Sequence, residues 1–133
     1  MCVLEVALIA PWIFFLFVGA LDMGYYSYAL ISTENAARVA CEYTSKSSTT
    51  AADSSAACTY ALDELKAIDN ARSLSSCDSS PLVVSATKVT GADGVTDGDS
   101  LVSVAYTTDQ FVPLPVLNGK FTITRTVQMK VRQ

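Results

Sequence analysis

Glu5 and Asp22 are the only charged residues among the first 31. Glu5 immediately precedes an uncharged stretch, VALIAPWIFFLFVGAL, from Val6 to Leu21. A carboxylate inside an apolar layer is costly unless a cation or hydrogen-bond donors pair with it. No Lys or Arg occurs before Arg38, so the nearest positive group is the amine of Met1. That amine can pair with Glu5 in the same chain. It can also pair with Glu5 of a neighbouring copy staggered along an assembly, where the pair would set axial register. A third arrangement places the carboxylate at headgroup level by snorkelling. Spacing does not separate these readings.

The other residues with chemistry are four cysteines: Cys2, Cys41, Cys58 and Cys77. No pair has the close spacing of a zinc or redox site. In an exported chain one disulfide is expected among the last three, leaving one thiol over. Cys58–Cys77 is preferred and Cys41–Cys58 is the alternative. Either closes a short loop, worth about 3 kcal/mol at best.

The chain has no histidine, which removes the commonest general base and metal ligand. No Ser/Lys or Gly-rich motif stands in a supporting context, so we expect no enzyme and no cofactor. The acids Asp93, Asp97 and Asp99 lie in a Gly-Asp run that reads as an ordinary turn, without the spacing of a calcium loop. A net charge of −4 without a basic stripe argues against nucleic acid as a partner.

These residues must be positioned by one small domain, since 133 residues allow no more. The apolar stretch is not a removable secretory signal, because it has neither a basic flank nor a small-residue cleavage site. Its sixteen uncharged residues span roughly 24 Å of helix. Including residues 1–5 completes a membrane span and draws Glu5 into it. Pro11 should kink or loosen this helix, with Gly19 and Gly24 as two weaker points. Beyond Asp22 the pattern turns amphipathic, with a face of Ala29, Ser32, Ala36, Ala37 and Ala40 small enough for close helix approach. We read one helix over about 3–46. Tyr25, Tyr26 and Tyr28 cluster where it leaves the apolar layer, as in an interfacial aromatic belt.

Residues 44–55 contain eight Ser or Thr and form a loop, with Asp53 as the N-cap of a second helix over about 54–71. Three strands follow: 82–89, 101–108, and the alternating run of Phe121, Ile123, Val127, Met129 and Val131. Arg125 interrupts the apolar face of the third strand. The loop 109–120, with two prolines, either packs locally or meets a neighbouring subunit. The expected fold is α+β: a long apolar helix, a short second helix, and an antiparallel sheet of about three strands packed on them. Residues 1–46 are expected to form an apolar helix, a membrane or filament-core segment that continues into the globular part. Residues 47–133 form the surface-exposed globular part.

The run Glu5-Val6-Ala7-Leu8-Ile9-Ala10-Pro11, followed by Gly19 and Asp22-Met23-Gly24, resembles the N-terminal signature of TadE-like pilins. Asn35-Ala36-Ala37-Arg38-Val39-Ala40 is similar to the Ala-Ala-Arg continuation of that family. The resemblance covers most of the chain but is specific only over residues 5–40. It implies a structural subunit of a tight-adherence, type IV-like pilus on a prokaryotic cell surface. The alternative is a minor pilin or membrane-anchored surface protein that primes assembly or binds a surface. The implied partners are other copies of the chain, a prepilin peptidase, the pilus assembly machinery, and the inner membrane before assembly. Such proteins are made with a short leader that is removed after a glycine. With Met1 as first mature residue, Glu5 falls at position five, where pilins carry their assembly glutamate. The resemblance therefore favours the inter-subunit reading, with Met1, Glu5 and Pro11 as the assembly residues.

Overall fold

The computed structural model describes residues 2–91, 94, 98–108 and 119–132. The readings for Met1, for Asp93 and Asp97, and for most of the loop 109–120 lie outside the described residues. A 43-residue helix, α1 (Cys2–Thr44), leads to a short helix, α2 (Ser54–Leu65). Four strands follow: β1 (Asp78–Ser79), β2 (Leu82–Val89), β3 (Asp99–Thr108) and β4 (Phe121–Lys130). They form one antiparallel sheet in the order β1-β2-β3-β4. The second half of α1 lies over β3 and β4, and α2 lies over β2 and against α1. The domain is therefore two layers, with two helices on one face of the sheet.

The core follows from residue size and period. Val102, Val104 and Tyr106 on β3 alternate inward and are fully buried. Leu82, Val84 and Ala86 on β2 also alternate inward and are buried, Leu82 fully. Against them α1 presents Ala29, Ala36, Ala37, Ala40 and Cys41, each with no exposed surface. The small-residue face is thus consumed inside the subunit, where it lets α1 approach its own sheet and α2 closely. Thr33 is buried with it and satisfies its hydroxyl on the Ala29 carbonyl, 2.7 Å away.

The Ser/Thr-rich loop folds on its own hydroxyls. Thr50 Oγ1 donates to the Thr44 carbonyl at 3.0 Å, and the Asp53 carboxylate accepts the Ala56 N–H at 3.0 Å as the N-cap of α2. The Ser100 hydroxyl lies 2.7 Å from Thr44 Oγ1 and 3.0 Å from the Ala51 carbonyl, tying the end of α1, the loop and β3 together. At the same end of the sheet the Arg132 N–H donates to the Ser45 carbonyl at 2.8 Å.

The structure departs from the sequence reading at the start of β3, which is Asp99 rather than residue 101, and in two further places. The second helix stops at Leu65 rather than Ala71, and the chain tightens into a 3₁₀ turn over Asp69–Ala71. Ile68 and Ala71 stay buried because a three-residue repeat keeps both on the core side. Their spacing suits either helix type, so periodicity alone extends the α-helix too far. The sheet has a fourth strand, β1, whose two polar residues carry no alternation.

Leu65 is fully buried. Leu65→Ala is expected to lower stability by about 2–5 kcal/mol, read by chemical denaturation of the detergent-solubilised protein.

The candidate assembly surface

Glu5 lies in the first turns of α1 and is exposed. An acid here is favoured by the unpaired N–H groups and dipole of the helix start, by about 0.3–1 kcal/mol in water. The structure thus places Glu5 beside a positive helix end, and the Met1 amine that sequence reasoning pairs with it lies outside the described residues. Pro11 sits well inside α1, and the helix continues through it. A proline has no N–H, so the Ala7 carbonyl loses its ordinary helical donor.

From Val6 to Leu21 the side chains are bare around the whole circumference, with Val18 the buried exception. Trp12 is 72% exposed and Leu16 75%. This helix is long and apolar enough to cross a membrane. Val6, Ile9, Ala10, Ile13, Phe14 and Phe17 line one open apolar groove along it. Their three- and four-residue spacing is that of a ridge-and-groove packing surface. A Cβ added at Gly19 or Gly24 would meet nothing within 4 Å. Each glycine weakens the helix by about 1 kcal/mol relative to alanine, and nothing in the described subunit requires it.

The tyrosines at the exit from this stretch divide. Tyr26 packs on the domain core and meets Phe121 edge-on, with ring centres 5.5 Å apart. Tyr25 also packs on the core, while Tyr28 remains exposed. At the far end of α1, Tyr43 lies against Tyr60 of α2 with centroids 4.3 Å apart, and Lys46 Nζ stands 4.9 Å from the Tyr43 ring.

Cys58 and Cys77 form a disulfide that ties α2 to the segment entering β1, and Cys41 is a free, buried thiol. The Cys41 thiol faces the carbonyls of Ser100 and Val127 at 3.5 and 3.4 Å. Burial pushes its pKa up, partly opposed by hydrogen bonds from Val102, Thr44 and Met129. Among the described residues, no group of three or more His, Cys, Asp or Glu could hold a metal ion.

Residues 3–41 match the family model described as TadE-like protein. The match runs from the apolar stretch through Cys41, into the part of α1 that packs on the sheet. The similarity to TadE-like protein is thus confined to the N-terminal helix. A family of this kind and one apolar helix point to association with a membrane or cell surface. No curated protein and no solved structure matches the chain.

Two outcomes follow for the cysteines. Replacing Cys58 and Cys77 by serine opens a loop of 19-residue separation, for an expected loss of about 3 kcal/mol in denaturant unfolding. Cys41 should resist maleimide in the folded protein and react on unfolding. A raised thiol pKa favours the folded state below the ordinary thiol range, and that contribution is lost as pH rises through it. Mass spectrometry of labelled protein across about pH 7–10, roughly 1.5 units either side of a free thiol, checks both the protection and its loss.

Proposed function

We propose that this chain is a structural subunit of an extracellular Tad-type, type IV-like pilus. One observation carries the reading: an apolar helix bare on all sides, continuous with a helix that is the backbone of a folded domain. Such a helix needs lipid before assembly and other helices after it. Both surroundings are apolar, so moving the helix from one to the other exposes little new surface to water. The two glycines with open space around them suit the close approach of a neighbouring helix.

Glu5 distinguishes storage in lipid from packing in a bundle. In lipid it is a desolvated charge. In the bundle it pairs with the N-terminal amine of an adjacent copy and selects one axial stagger. The match to TadE-like protein supports a pilus setting. The partners on this reading are copies of the same chain, a prepilin peptidase, the assembly machinery and the inner membrane. Catalysis has no part in this role.

Glu5→Ala tests the reading. The variant should accumulate in the membrane at the level of the unaltered protein, while filaments sheared from the cells and counted by electron microscopy are lost. Abundant normal filaments from that variant would sink the proposal.

A further inference from the structure

The globular domain is joined to the apolar stretch of α1 without a break, so its height above that stretch is set by helix geometry. The stretch ends at Leu21, and Asp22 is the first charge beyond it. Tyr26 follows five residues after Leu21, which places its Cα roughly 7.5 Å further along the helix. The polar layer of a bilayer is about 5–8 Å deep on each side of the hydrocarbon core. Helical side chains slant toward the N-terminus, so the Tyr26 ring leans back into that layer.

Phe121, the first residue of β4, meets the Tyr26 ring edge-on with centres 5.5 Å apart. It therefore stands at the same height, although it comes from the sheet rather than from the helix. Along β4 it lies in the same row as Ile123, which is 3% exposed, while Phe121 is 53% exposed. The core ends between these two residues. The adjacent Lys120 is exposed as well. The sequence places an aromatic belt at Tyr25, Tyr26 and Tyr28, but Tyr25 and Tyr26 pack on the domain core. On the domain side of α1 the exposed aromatic ring at this height is Phe121.

Water, a second copy or lipid could meet that ring. The helix decides between them. It is long and apolar enough to cross a membrane, and insertion brings Phe121 to the headgroup layer before any second copy arrives. Aromatic rings concentrate at this depth. A lysine beside them keeps its stem on apolar surface and its ammonium among phosphates.

We infer that the start of β4, Lys120 and Phe121, seats the globular domain in the phospholipid headgroup layer, as a second membrane contact beside α1. This rests on reading α1 as membrane-inserted before assembly. The stored subunit is then held at two points, and the domain must lift off the bilayer when its helix leaves.

The test uses the full chain, one copy per nanodisc, in phosphatidylethanolamine and phosphatidylglycerol with a tryptophan-free belt. The chain has a single tryptophan, Trp12. Quenching of Trp12 by lipids brominated deep in the acyl chain checks insertion of α1 alone. In a Trp12→Phe background, Phe121→Trp then reports the edge of β4. Tyr60→Trp, beside Tyr43, reports a site roughly 25 Å further along α1 than Tyr26. Phe121→Trp should be quenched by lipids brominated near the headgroup, and several-fold less than Tyr60→Trp by acrylamide. Tyr60→Trp should not respond to the brominated lipid. Cys41 protection from maleimide reports that each variant is folded, and Lys120→Trp takes the place of Phe121→Trp should that variant expose Cys41. Equal acrylamide access at the two positions, or no lipid quenching at the edge of β4, overturns the contact while Trp12 quenching leaves insertion standing. Shielding that appears only when discs hold several copies assigns Phe121 to a second copy and overturns it too. An unquenched Trp12 strikes the reading of α1 as membrane-inserted, and with it this contact.

Discussion

An apolar surface that surrounds a helix on every side cannot be satisfied by the domain that carries it. One sheet or one partner helix covers one stripe, and Val6–Leu21 is bare on all of them apart from Val18. The rest of the structure adapts to this constraint. The sheet and α2 engage α1 from Tyr25 onward, chiefly through the small residues that begin at Ala29, and leave the larger apolar residues before it to an outside environment. The helix runs without a break through both regions. What happens to its first half is transmitted to the second by covalent structure and helical hydrogen bonds.

The same division explains why alanine dominates one face of α1. Leucine at Ala36 or Ala37 would have no space against β3, β4 and α2, since both alanines are fully buried. Close approach also brings Cys41 against the carbonyls of β3 and β4 and Thr44 against Ser100. These contacts fix the domain on the helix in rotation as well as in position.

Much of this was legible in the sequence. The long helix, the Asp53 cap, the inward rows of β2 and β3, and the loop between the helices follow from period and cap chemistry. The end of α2 was not, because Ile68 and Ala71 satisfy α and 3₁₀ spacing alike. Strand β1 was not, because two polar residues hold no pattern and gain their place from β2. The small-residue face of α1 was visible, but its occupant was not, since residue size says how near a neighbour comes and not which neighbour it is. Arg125 stood out as the one charge on an apolar row. That its Nε is buried without a partner among the described residues depends on tertiary packing, which no local pattern encodes.

The Cys58–Cys77 link has a mechanical meaning for any protein that bears load along a fibre. A pull on the domain surface travels through the sheet and α2 to α1, then down the helix. If the domain yields, the segment between these cysteines cannot pay out. Nineteen residues of chain would otherwise add about 65 Å of length at full extension. With the link intact, the distance between those two points stays near its folded value of 5.7 Å between Cα atoms. The tie thus caps how far an overloaded subunit can lengthen, and keeps the segment entering β1 tethered to α2 while it does.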